Sequence, residues 1–121
     1  MINKMGITPK QIELLKLLNA YKNKSWEAKS TQELIIIGNT IVEQLSKETP
    51  AYIYFADGSS QPDEKGKKLI LEILKTDIIS FENGGYSDLK NEKFAIASTI
   101  TLLMGVFVRV SVEKMLEITK K

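Results

Sequence analysis

The sequence predicts a mainly helical domain, a small antiparallel bundle of about four longer helices. Three observations carry that expectation. Apolar residues recur at spacings of three and four along most of the chain, hydroxyl residues suited to helix capping stand before two of those runs, and glycine or proline punctuates the rest. With 121 residues, 43% hydrophobic and 26% charged, the chain is long enough to bury its own core and reads as one globular domain over residues 1–121.

The first helix carries a full start signal. Thr8 is placed to cap it, Pro9 suits the first helical position, and Gln11 completes a capping box. Ile7 and Ile12 hold the two positions of a hydrophobic staple. Leu14, Leu15, Leu17, Leu18 and Tyr21 form the apolar stripe, and the helix is expected to fade near Asn23. Ser30 and Glu33 repeat the start signal for a second helix. The run Leu34, Ile35, Ile36, Ile37, then Ile41, Val42 and Leu45, gives a face broad enough to be touched from two sides. This helix must stop before Thr49-Pro50, because a residue preceding proline avoids the helical region.

Residues 50–56 admit two readings. Thr49-Pro50 copies the Thr8-Pro9 start, which favours a two-turn helix closed by Gly58. Alternatively, Tyr52 and Tyr54 alternate with Ile53 and Phe55 ahead of an Asp57-Gly58 turn, which suits a strand. Its expected partner is then residues 106–112, and the fold becomes α+β. Residues 59–63 read as a loop, with Ser60 or Asp63 capping a third helix. Leu69, Ile70, Ile73, Leu74 and Ile78 are its expected buried stripe; Lys65, Lys67 and Lys68 mark its wet side. Asn83-Gly84-Gly85 ends it.

The last segment opens near Ser87-Asp88 and extends to Thr119. As one helix of about 31 residues it would measure roughly 46 Å, which is long for this domain. Gly105 is the natural break. Beyond it Val106, Val108, Val110 and Val112 alternate as in a strand, and Met115, Leu116 and Ile118 return to helical spacing. The uncharged run from Phe94 to Val108 falls short of the about twenty apolar residues a bilayer span needs, so a core helix is expected rather than a transmembrane segment. The first residues show no pattern of a secretory signal, which makes cytoplasmic localisation the expectation.

The chain has no cysteine and no histidine. That excludes disulfides, thiolate metal sites and the usual nucleophile–base pairs, and leaves carboxylates, lysines, tyrosines and hydroxyls for any chemistry. The acidic residues fall mostly on polar helix faces. Asp57, Asp63 and Glu64 cluster near a loop, but without the spacing of a calcium loop, and they read as capping acids. Gly84-Gly85 lacks the remainder of a phosphate-binding motif. The expectation is a protein that is not an enzyme, with no catalytic residues, no cofactor and no metal.

Binding is the remaining class. A net charge of +2 is too balanced to imply nucleic acid by itself. Lysines 4, 10, 16, 22, 24 and 29 outnumber Glu13 and Glu27 near the start, with Tyr21 and Trp26 between them, so a small nucleic-acid-associated subunit is the alternative reading. The only arginine, Arg109, borders the apolar run; its stem is expected on the core with its head toward water or a helix-end carboxylate, or else it is a buried charge paired with a specific acid or an anchor in a partner interface. Tyr52, Tyr54 and Phe55 lie close in sequence to Asp57 and the lysine cluster. Amphipathic aromatics beside charges are the composition of interface hot spots. Tyr52, Tyr54, Asp57, Lys65, Lys67 and Lys68 are therefore the candidate partner-binding residues. If part of the 94–108 run is exposed, it marks oligomerisation or a membrane-associated partner.

The stretch Leu17-Leu18-Asn19-Ala20-Tyr21-Lys22 is similar to one found in a branch of the small helical immunity proteins that protect bacteria against their own pediocin-like bacteriocins. It covers under a tenth of the chain. Those proteins are short, basic, intracellular four-helix bundles, so the resemblance implies a bacterial or phage protein that works by docking. The expected function is a non-enzymatic interaction protein of immunity-factor, inhibitor or adaptor type, with a protein partner.

Overall fold

Thr8 starts the first helix as its capping pattern requires. Its hydroxyl accepts the Gln11 N–H at 3.1 Å, and Gln11 Oε1 accepts the Thr8 N–H at 2.8 Å. The computed structural model describes residues 8–108; Ile7 of the staple, Arg109, Val110, Val112 and the helical spacing near Met115 lie outside them. The described elements are α1 (Pro9–Glu27), α2 (Thr31–Leu45), β1 (Tyr52–Tyr54), β2 (Ser60–Pro62), α3 (Glu64–Glu82) and α4 (Leu89–Val108). This is the expected mainly helical fold, with a small antiparallel sheet added.

The helices form a ring in which α1 packs on α4, α4 on α3, α3 on α2 and α2 on α1. Cross-helix contacts show that neighbours run antiparallel. Gln11 reaches the Phe107 carbonyl at one end of the α1–α4 pair while Lys93 reaches the Trp26 carbonyl at the other. Leu15, Leu18, Leu34, Ile41, Leu45, Leu74, Ile96, Ile100, Leu103 and Phe107 have no solvent exposure and make up the core. Gly38 lets α2 and α3 approach: a Cβ there would lie 2.8 Å from Ile78 Cγ1. Besides α3, helix α2 also touches α1 and α4, as its broad apolar face implies, although Ile36 itself is 56% exposed.

Four expectations are corrected. The first concerns residues 50–56, which contain the strand β1 and not a helix. A two-turn helix is too short to offset its own nucleation, whereas the Asp57-Gly58 turn supplies a partner a few residues away. Gly58 has φ +88°, the left-handed conformation glycine tolerates. The second is the partner of that strand. β1 pairs with β2, inside the stretch read as a loop; of residues 106–112, those up to Val108 belong to α4. Third, Gly105 does not break α4. A mid-helix glycine costs only about 1 kcal/mol relative to alanine, and Leu103, Met104, Phe107 and Val108 around it are all buried. Burial outweighs propensity there.

The fourth correction is to helix faces and ends. Leu69 is 61% and Ile73 37% exposed, and the inward face of α3 is Ile70, Leu71, Leu74, Asp77, Ile78 and Phe81. α1 continues past Asn23 to Glu27, where buried Ser25 donates to the Tyr21 carbonyl at 2.9 Å.

Candidate docking site

The hairpin that projects from the bundle is built from its turn outward. Asp57 Oδ1 accepts the Ser59 N–H at 2.9 Å and the Ser59 hydroxyl at 2.6 Å, closing the turn. These donors hold the Asp57 carboxyl below the usual carboxylate range, the hydroxyl contributing most. The base is pinned to the bundle: the Asp63 N–H donates to the Ala51 carbonyl at 2.9 Å, and the Ala51 N–H donates to the Val106 carbonyl of α4 at 3.1 Å. Ala51 and Asp63 are buried, while all residues from Ala56 to Gln61 are exposed.

Side chains alternate along β1 as a strand demands. Tyr52 is 47% and Tyr54 78% exposed, both on one face, with Ile53 half-buried between them and Phe55 45% exposed beyond. The register is Tyr52 opposite Pro62, Ile53 opposite Gln61 and Tyr54 opposite Ser60. The Phe55 N–H donates to the Ser59 carbonyl at 2.9 Å. Together with the Asp63–Ala51 bond, this sets the phase of the ladder. The Ala51 carbonyl and the Phe55 N–H bond across the hairpin, which puts Ile53 in the same inward phase, so the main-chain groups of Tyr52 and Tyr54 face away from β2.

Of the six candidate residues, Tyr52, Tyr54 and Asp57 share this hairpin. Lys65 and Lys68 are exposed on the first turns of α3, which starts directly after Asp63; the Asp63 side chain accepts the Gly66 N–H at 2.9 Å. Lys67 is committed elsewhere. Its ammonium donates to the Ser46 and Glu48 carbonyls at 3.1 and 2.9 Å and pairs with Glu64 at 3.0 Å, with the side chain only 12% exposed. It caps the end of α2.

The other sequence candidates are placed as follows. Lys10 is engaged by Glu13 at 3.1 Å and Glu48 at 3.6 Å, which raise its pKa, the Glu13 hydrogen bond contributing most. Tyr21 donates to Gln44 Oε1 at 2.8 Å, with Lys24 over its ring. Trp26 meets Phe94 edge-to-face with centroids 5.0 Å apart, and joins α1 to α4. On α4, Phe94 and Leu102 are about half exposed, and the helix is long and apolar enough to cross a membrane, with half of that apolar window buried against the other helices. An open groove of about 560 Å³ runs past Gly85, Tyr86, Asn91, Phe94 and Ser98.

Two interior carboxylates escaped the sequence reading, which left acids on polar faces. Asp77 accepts the Thr99 hydroxyl at 2.8 Å and the Tyr86 hydroxyl at 3.1 Å. Glu92 accepts the Thr31 hydroxyl at 2.5 Å. Both residues are under 8% exposed. Helical spacing could have found them, since Asp77 lies three residues after Leu74 and four before Phe81, and Glu92 four before Ile96. Burial, followed by the nearby Asp77, pushes the Tyr86 hydroxyl above its usual pKa. Among the described residues, no group of three or more acidic side chains is gathered where it could hold a metal ion. Compared with models of known protein families, with curated proteins and with solved structures, the chain matches none.

Proposed function

We propose that this chain is a non-enzymatic interaction protein, of immunity-factor, inhibitor or adaptor type, which docks onto another protein through the aromatic face of the β1–β2 hairpin. The observation that carries the reading is the 78% exposure of Tyr54 on a strand whose base is hydrogen-bonded to α4. A large ring held in water on an anchored strand loses little conformational freedom on binding.

The size of the effect can be bounded. Covering the exposed parts of Tyr52 and Tyr54 contributes roughly 6 kcal/mol gross, at about 25 cal/mol per Å² and about 200 Å² per ring. Association costs about 4–15 kcal/mol, so these two rings alone make a weak complex. Lys65 and Lys68 supply the second part, by attracting acidic groups on the partner.

A photo-crosslinking residue at Tyr54, compared with one at exposed Glu43 on α2, tests this in the cells that make the protein. The expected result is a heterotypic adduct of defined mass at position 54, absent at 43 and weakened by Lys65→Glu with Lys68→Glu. Absence of any heterotypic adduct at 54 refutes the reading. Salt-dependent binding of DNA or RNA, unaffected by Tyr54→Ser, would put the nucleic-acid alternative in its place.

A further inference from the structure

We infer that the outer edge of β1 pairs with the same edge of a second copy of this chain, joining two hairpins into a four-stranded antiparallel sheet about a two-fold axis at Ile53. The inference concerns the edge of the strand, whereas the proposed docking uses its ring face.

The ladder phase supplies the argument. Tyr52 and Tyr54 each turn one N–H and one C=O away from β2, and none of these groups bonds to another described residue. A row of outward main-chain donors and acceptors at strand spacing is complementary to another strand. The two residues stand symmetrically on either side of Ile53, so the edge is its own complement. With Ile53 opposite Ile53 of the second copy, Tyr52 of each copy faces Tyr54 of the other in the hydrogen-bonded phase, which gives four main-chain bonds.

Charge and shape permit the pairing. Strand edges are commonly protected by lysine, by a bulge or by inward charge. From Ala51 to Ala56 there is no charged side chain, so none within the paired run repels a second copy. The exposed run from Ala56 to Gln61 carries the hairpin tip clear of the helices. Directly opposed residues point to the same face, so pairing also brings Tyr52 against Tyr54 of the second copy, and aromatic cross-strand pairs are favourable. The contact is small and belongs to the weak class of interfaces.

Sedimentation equilibrium of the full chain from about 10 µM to about 1 mM reads the association. The mass should rise toward twice that of the monomer, and the Tyr52 and Tyr54 amides should become protected from hydrogen exchange only as concentration rises. Tyr54→Pro removes one outward N–H per copy and none that faces β2, and should weaken the dimer about thirtyfold. A second set of variants keeps the test independent of folding: Tyr52→Lys with Tyr54→Lys, and Tyr52→Glu with Tyr54→Glu, should each be monomeric alone and associate when mixed. A monomer throughout the range overturns the inference. So does a dimer indifferent to all of these exchanges, or amide protection at every dilution, which would mean another part of the same chain covers the edge. Homotypic and heterotypic adducts at position 54 separate a failure of this pairing from a failure of the docking proposal.

Discussion

Replacing Gly105 by alanine should raise the thermal midpoint, while the same exchange at Gly38 should lower it. Both glycines sit inside helices at negative φ, so alanine gains about 0.5–1 kcal/mol at each from propensity and a less free unfolded chain. Their surroundings differ. A Cβ at Gly105 meets no atom of the described residues within 4 Å, and among them the gain stands unopposed. At Gly38 it would sit 2.8 and 2.9 Å from Ile78 Cγ1 and Cδ1, with Ile96 Cδ1 at 3.8 Å. Ile78 is 6% exposed and has little room to retreat. Overpacking of this kind costs about 1–3 kcal/mol, so Gly38→Ala should lose about 1 kcal/mol net. At about 4 °C per kcal/mol, circular dichroism melts should place the two variants on opposite sides of the parent, about 7 °C apart. In an Ile78→Ala background the Gly38 penalty should vanish, because the clashing atoms are gone. A Gly38→Ala variant that gains as much as Gly105→Ala would refute the close approach of α2 and α3. A loss at Gly105 would refute a continuous α4.

Further expectations follow from the polar contacts. Thr99→Val keeps the shape but leaves Asp77 Oδ2 without its donor, and denaturant melts should show a loss of about 1–3 kcal/mol. Lys67→Met should cost about 1–2 kcal/mol by uncapping α2, whereas Lys68→Met should stay within about 0.5 kcal/mol of the parent. Tyr86 ionises at higher pH folded than unfolded. Above the ordinary tyrosine pKa of about 10 the unfolded chain therefore binds fewer protons, and stability falls as pH rises. Tyr86→Phe should remove that part of the alkaline slope, read as the difference between the two proteins' melts across this range.

Local chemistry made much of the fold legible. Thr8 and Ser30 cap the helices they were expected to cap, and Asn83-Gly84 ends α3, because these signals depend on backbone groups a few residues away. What failed needed tertiary information. The Gly105 break was overruled by the buried residues on both sides of it, and Leu69 and Ile73 are equally apolar inside or out, so only packing decides their face. The candidate site divides in the same way. Tyr52, Tyr54 and Asp57 share a hairpin because one turn organises them. Lys67 was drawn off to cap α2, at residues that lie about twenty positions away. No periodicity in the α3 sequence signals such a partner.

The anchoring of the hairpin through Ala51 separates two kinds of evolutionary freedom. Its root shares hydrogen bonds with α4 and with the start of α3, so change there reaches the bundle. Its tip, from Ala56 to Gln61, touches mostly water and can drift with little penalty to folding. A lineage carrying this scaffold could therefore redirect what it recognises by exchanging a handful of residues at one end of the molecule, leaving the rest untouched.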